Sequence, residues 1–225
     1  MALSSADCLR ENAWVCGEYL RNYQDDIVAA TKEHVTLTVL SVVIAIVVAF
    51  PLSLLARRSR VLKPFVLGAT TVVYTIPSLA LFSVLLPFTG ISEETVVIGL
   101  SLYALTVLIR NFVAGLDAVP DEVRDAARGM GYGRARMLWR VEVPLAIPTM
   151  FAGIRIAVVS TVALVTIGFV VGYGGLGNLI SQGLGTEFKA QVLTASVLCV
   201  VLAVAGDLIV LAVQRLVTPW RRAAR

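Results

Sequence analysis

Five stretches of about twenty mostly apolar residues punctuate this chain, and no feature constrains its fold more. They run over about His34–Ala56, Pro64–Pro87, Val96–Leu116, a stretch within Ala146–Val171, and Gln191–Val213. A helix rises about 1.5 Å per residue, so about 20 residues cross about 30 Å of hydrocarbon. Each run is long enough to span a bilayer. Hydrophobic residues make up 58% of the chain and charged ones 15%, against about 45–50% and about 25% in an average soluble domain. The surplus is too large for one water-facing fold. The expected fold class is all-α: a polytopic membrane protein of five transmembrane helices.

Five spans put the termini on opposite sides, and charge selects the side. With the N-terminus outside, the inner segments collect Arg57, Arg58, Arg60, Lys63, Arg124, Arg128, Arg134, Arg136, Arg140, Arg215, Arg221, Arg222 and Arg225. The outer segments hold only Arg10, Arg21, Lys32 and Lys189. Basic residues accumulate on the cytoplasmic side, so the expectation is N-out, C-in. This divides the chain into an extracytoplasmic tail over 1–33, a transmembrane domain over 34–213 with a cytoplasmic loop over 117–148, and a basic cytoplasmic tail over 214–225. The tail over 1–33 lacks the basic start and apolar core of a signal peptide. Ala13, Trp14, Leu20, Ile27 and Val28 suit an amphipathic helix on the outer membrane surface. Cys8 and Cys16 are candidates for a disulfide there. Eight helical residues would hold them about 12 Å apart, so that stretch is either bridged or helical, not both.

The same sequence excludes several functions. One histidine, His34, leaves no histidine-rich metal site and no Ser/His/Asp triad. Gly172-Tyr-Gly-Gly-Leu-Gly177 formally matches G-x-G-x-x-G, but it follows an apolar helix and not a strand, so it is no dinucleotide site. No Gly-Lys-Ser/Thr phosphate loop occurs, so any ATP and Mg²⁺ belong to another subunit. The chain is expected to be no enzyme, to carry no cofactor or metal, and to bind no nucleic acid. Its net charge of +4 matches the basic inner loops.

The inner loop between spans three and four is the longest polar stretch on that side. Pro120 suits the first position of a helix, and Asp121 and Glu122 complement its dipole. Ala126 and Ala127 give a slim face. Gly129, Gly131 and Gly133 end the helix with positions suited to positive φ. A second amphipathic stretch, Arg134–Val143, ends at Pro144. A short capped helix of this kind fits a partner's groove or simply closes a loop.

Asp125-Ala126-Ala127, three residues, Gly131, nine residues, Val141, one residue, Val143-Pro144 resembles the loop motif of bacterial ABC importer permeases, the inner-membrane components of binding-protein-dependent transport. That pattern is Glu-Ala-Ala, three residues, Gly, nine residues, Ile, one residue, Leu-Pro. Further segments are similar to the osmoprotectant branch, which handles glycine betaine, choline and carnitine. They include Glu33-His34, Pro51-Leu52-Ser53, Thr75-Ile76-Pro77-Ser78, Arg110-Asn111, Ala126-Ala127-Arg128-Gly129-Met130-Gly131, Ala152-Gly153-Ile154-Arg155 and Gly174-Gly175-Leu176-Gly177. Tyr74 stands where the branch commonly has Gln, and Thr106 where it often has Pro.

The resemblance implies a type I importer permease in the bacterial inner membrane. Asp125, Ala126, Ala127, Arg128, Gly129, Met130, Gly131 and Pro144 would form the coupling segment that docks on an ATPase. Tyr74, Thr75, Pro77 and Ser78, at a proline-kinked second span, and Gly174, Gly175 and Gly177, at an external turn, would line or gate the path. The implied partners are a second permease chain, identical or a sister, two ABC ATPases and an extracytoplasmic substrate-binding protein. The alternative solute is another small polar compound such as an amino acid. A secondary transporter is the rival class, but no inverted repeat and no acid near mid-span favours it. Arg110, Arg155 and Asp207 are charges at or near spans, and an Arg155–Asp207 pair is a specific expectation.

Overall fold

The computed structural model describes residues 8–221. Its order of helices is α1 (Gly17–Asn22), α2 (Gln24–Arg57), α3 (Leu62–Thr75), α4 (Ser78–Thr89), α5 (Glu93–Asp117), α6 (Asp121–Gly129), α7 (Arg134–Met137), α8 (Val143–Val165), α9 (Leu176–Gly185) and α10 (Lys189–Val217). A π-helical turn, Leu138–Glu142, joins α7 to α8, and a 3₁₀ segment, Thr166–Val171, follows α8. No strand occurs among the described residues. Four segments are long and apolar enough to cross a membrane: Gln24–Arg57, Glu93–Asp117, Arg134–Val171 and Lys189–Val217. The pair α3 and α4 makes a fifth if counted as one broken span.

Element boundaries depart from the hydropathy pattern in three places. The first span starts at Gln24, ten residues before His34. Among the described residues of the tail, α1 is the one separate helix before α2, and Asp25 and Asp26 stabilise the start of α2 through its dipole. Residues 1–7 of that tail and 222–225 of the basic tail lie outside the described residues. The second difference is at Pro77, which does more than kink the second span. Its ψ of 137° is extended, so the helix stops at Thr75 and restarts at Ser78. The Thr75 hydroxyl donates to the Val72 carbonyl (2.7 Å) in the last turn of α3.

The third correction concerns Pro144, which does not end the amphipathic stretch. The chain runs helically from Arg134 through Pro144 and Pro148 to Val171. Proline removes one amide donor and crowds the carbonyl four residues back. The wider π turn immediately before Pro144 absorbs that misfit. The fourth span thus begins a dozen residues before Ala146.

The described residues fall into two compact units, and α2, α5, α8 and α10 contribute to both. One comprises the chain up to Ser41 with Ile76–Ser101 and Val159–Ala205. Its main core is Leu37, Phe82, Val96, Leu100, Val165 and Val171. Smaller clusters gather Tyr19 with Cys16 and Ala190, and Leu176 with Ala30 and Ala195; Cys199 packs beside the latter. The other unit comprises Val42–Thr75, Leu102–Val158 and Gly206–Arg225. Its core sets Ala45, Ala49, Ala56, Ala104, Ala146 and Ala157 among Leu108, Ile109, Phe112 and Leu116. Small residues let helix backbones approach closely, as membrane helices need where lipid is as apolar as the packing side chains. Along α10, Val200, Val204 and Leu208 are each more than half exposed, a face suited to lipid and not to water.

Candidate functional site

The helix α6 carries most of the motif residues, and its ends explain their types. Pro120 sits just outside the first turn, at φ −60° and ψ 144°, so the helix proper starts one residue later than expected. Asp121 and Glu122 fill the first turn. Gly131 adopts φ +79°, the left-handed conformation that costs other residues about 1–2 kcal/mol. The Gly131 amide donates to the Arg128 carbonyl (2.9 Å) and the Tyr132 amide to the Ala127 carbonyl (3.0 Å). These two bonds make a complete Schellman cap. Of the three expected glycines, Gly131 alone takes positive φ; Gly129 closes the helix and Gly133 precedes α7. Ala127 is buried, whereas Asp125, Ala126, Arg128 and Met130 are exposed. Arg128 pairs with Asp125 at 2.7 Å along the helix.

Behind α6 lies an ion-pair network that the motif does not announce. Arg57, ending α2, donates from Nε to Asp117 (2.8 Å), from Nη1 to Glu142 (3.3 Å) and from Nη2 to the Leu116 carbonyl (3.2 Å). Arg124, on α6, donates from Nε to Glu142 (2.9 Å), from Nη1 to Asp121 (2.7 Å) and from Nη2 to the same Leu116 carbonyl (2.8 Å). Lys63 completes it at Asp117 (2.7 Å). Burial acts to lower the pKa of Arg124, but bonds to Asp121 and Glu142 and their charges outweigh it, so the guanidinium is held charged above its ordinary value. Two guanidiniums share one largely buried carboxylate and one carbonyl. Arg57 thus ties the end of α5 and the π turn to the end of α2, and Arg124 brings α6 to the same carboxylate. In sequence Arg57, Lys63 and Arg124 read only as topology signals and Glu142 as nothing in particular, because Arg57 and Glu142 are 85 positions apart. Pro144 lies just past this anchor, half-buried.

The residues expected to line or gate a path divide between the units. Tyr74 and Thr75 end α3 in the unit that holds α6. Tyr74 is half exposed and meets the buried Tyr103 edge-on, ring centroids 5.8 Å apart. Arg110 donates to the Thr71 hydroxyl (2.6 Å), and Thr106 to the Thr70 carbonyl (2.7 Å). Arg155 and Asp207 form the expected pair, with Nε to Oδ1 at 2.7 Å and Nη2 to Oδ2 at 2.6 Å. Pro77 and Ser78 open α4 in the other unit, where Phe82 is fully buried and serves the core.

That second unit also holds the glycine turn. Gly174, Gly175 and Gly177 are all buried. Gly175 has φ +52°, and a Cβ there would come within 2.7 Å of the His34 backbone nitrogen. The Gly175 amide donates to Glu33 Oε1 (3.0 Å), and His34 Nε2 donates to the Val162 carbonyl (3.0 Å). A carbonyl only accepts, which fixes the proton on Nε2. Glu33 and His34 therefore clasp the turn, a role their position before the first apolar run does not reveal. Cys8 and Cys16 are joined by a disulfide, Cα atoms 5.5 Å apart, and the helix begins only at Gly17. Among the described residues, no three His, Cys, Asp or Glu side chains group as a metal site.

Several membrane-long helices, a short capped helix and a glycine-rich turn describe a multi-pass membrane protein. Residues 36–223 match the family model for the binding-protein-dependent transport system inner membrane component. The chain belongs to that family. It is 35% identical over 207 residues to the osmoprotectant import permease protein OsmW of Salmonella typhimurium, covering 89% of this chain and 96% of the relative. It is 34% identical to the glycine betaine/carnitine/choline transport system permease protein OpuCD of Bacillus subtilis, over 84% and 83% of the two chains. The fold matches the MetNI methionine ABC transporter in an inward-facing conformation with a TM-score of 0.80 at 23% identity, over 88% of this chain and 98% of that one. An amino acid ABC transporter matches with a TM-score of 0.74 at 18% identity, over 89% and 98%. At these identities the structural matches bear on fold alone.

Proposed function

We propose that this permease forms half of an ATP-driven import path for a small osmoprotectant of the glycine betaine, choline or carnitine class, in the bacterial inner membrane. The observation that carries this is the extent of likeness to curated osmoprotectant permeases, 35% and 34% identical over more than four-fifths of the chain. A second permease copy or sister completes the path, since one five-span bundle is too small to hold a pore with two gates. Two ATPase subunits hold ATP and Mg²⁺, and a binding protein delivers solute from outside. The orientation is N-out and C-in, supported by the excess of Lys and Arg in the inner loops.

Asp125–Gly131 is the coupling element. Its exposed Asp125, Arg128 and Met130 present to the ATPase, while Arg124 and Arg57 transmit displacement of α6 to α2, α5 and α8 through Glu142. ATP binding draws the coupling helices together and favours the outward-open state; hydrolysis releases them. Tyr74, Thr75, Pro77 and Ser78 border the path, and the Gly174–Gly177 turn sits at its outer mouth. The test is uptake by the permease reconstituted with its ATPase and binding protein. Saturable, ATP-dependent import of choline, carnitine or glycine betaine is expected. Import of an amino acid with none of these would contradict the solute class.

A further inference from the structure

In the unit that contains α1, two turns end on the same cap. Helix α9 closes as α6 does: the Phe188 amide donates to the Gly183 carbonyl (2.8 Å) and the Glu187 amide to the Leu184 carbonyl (3.4 Å). The residue in the left-handed position is Glu187, at φ +56°, where glycine is usual. The loop between Cys8 and Cys16 repeats the pattern. There the Ala13 amide donates to the Cys8 carbonyl (3.0 Å) and the Asn12 amide to the Leu9 carbonyl (3.4 Å), with Asn12 at φ +50°. Among the described residues, Asn12 and Glu187 are the only non-glycines at positive φ.

These two residues meet. The Asn12 side-chain amide donates to the Glu187 carbonyl (2.7 Å), and its Oδ1 accepts from the Lys189 amide (3.0 Å). Lys189 opens α10, so Oδ1 satisfies one of the amides that a helix start leaves free. One side chain therefore holds both sides of the α9–α10 hinge, and a strained position persists where its surroundings over-determine it. The bridge in turn places Asn12. Cys16 is buried with Tyr19 and Ala190, and Cys8 and Phe188 pack beside them. Closing the loop removes chain entropy that Asn12 would otherwise lose on docking. Helix α9 starts directly after Gly175, whose amide Glu33 accepts (3.0 Å). It is thus pinned at its start by α2 and at its end by the disulfide loop.

We infer that the loop closed by Cys8 and Cys16 is a redox-held latch on the α9–α10 hinge, with Asn12 as its positioning residue. A dithiol opens the latch. Its thiolate attacks the bridge, it is oxidised to its own disulfide, and Cys8 and Cys16 are reduced to thiols. The freed loop withdraws Asn12, Glu187 loses the contact that holds its left-handed backbone, and α9 stays pinned at its glycine end alone. The latch rests on contacts within this one unit. Its effect on solute movement rests on the proposed place of the Gly174–Gly177 turn at the outer mouth.

The test combines single-amide hydrogen exchange with uptake, on the permease reconstituted with its ATPase and binding protein. Dithiothreitol, or Asn12→Ala with the bridge intact, speeds exchange of the Lys189 amide about three- to tenfold, the loss of one net hydrogen bond. The Phe188 amide follows as the α9 cap loosens. Uptake falls about fivefold at unchanged membrane level, the low end of coupling between two sites, while ATP turnover persists. Adding Glu187→Gly to Asn12→Ala restores uptake and Phe188 protection, because glycine takes the left-handed φ unaided, but leaves Lys189 exchange fast. A bridge that only stabilised the fold would give no such split. In the Cys8→Ser, Cys16→Ser chain dithiothreitol has no further effect; a further loss there would assign the reductant's action to another subunit and overturn the redox hold. Unchanged exchange at Phe188 and Lys189, both on reduction and in Asn12→Ala, overturns the latch. Faster exchange with undiminished uptake, or no rescue by Glu187→Gly, overturns its hold on transport. Exchange that responds as stated in a complex importing no quaternary ammonium leaves the latch standing and overturns the proposed function instead.

Discussion

At the scale of single residues, Gly131 and Glu142 carry the sharpest consequences. Gly131 has open space around its α-carbon, so a methyl group there clashes with nothing; the penalty comes from φ +79° alone. Gly131→Ala is expected to weaken the cap of α6 by about 1–2 kcal/mol and to lower uptake at unchanged membrane level, while Gly131→Asn retains most of it. Equal uptake by the two variants would show that the cap is unimportant. Gly131→Trp or Asp125→Lys should abolish uptake outright while leaving insertion intact. Glu142→Gln leaves Arg57 and Arg124 without their shared carboxylate. Its side chain is 11% exposed, so the loss is expected at about 1–3 kcal/mol, read as a lower Tm of the solubilised complex. The motif residues were legible because their types recur at fixed spacing within one loop. Arg57, Arg124 and Glu142 were not, because a contact across 85 positions leaves no local pattern. The clasp of Glu33 and His34 on Gly175 was hidden for the same reason, and Gly175→Ala should disrupt that turn and lower expression.

Among elements, the apolar runs were plain in the sequence, since hydrocarbon thickness imposes a length that composition alone reveals. Their boundaries were not. Polar residues such as Gln24, Asp25 and Asp26 stay helical outside the apolar run, because α2 needs only backbone continuity there. Prolines were ambiguous for a definite reason. Pro77 breaks a helix because its own ψ is extended, while Pro144 is tolerated behind a π turn. Local sequence does not distinguish the two outcomes, which depend on neighbouring backbone that can rearrange. The Arg155–Asp207 pair belongs to this scale, because it joins α8 to α10. Arg155→Asp should reduce the yield of assembled permease. The exchange Arg155→Asp with Asp207→Arg should restore it, and failure of the exchange to do so would mean that the pair does not hold the helices.

For the whole molecule, the account requires one topology and one mechanical attachment. The basic inner loops, the Schellman-capped α6 and the family match all meet at the segment from Pro120 to Pro144. If an ATPase pushes there, exposed Met130 must face the cytoplasm and lie against that subunit. Met130→Cys, in a chain with Cys199→Ala and the Cys8–Cys16 bridge intact, tests both requirements together. The expected result is no reaction with an impermeant maleimide in intact cells, reaction in inside-out vesicles, and a nucleotide-dependent cross-link to the ATPase. Labelling of Met130→Cys from outside intact cells would contradict the account.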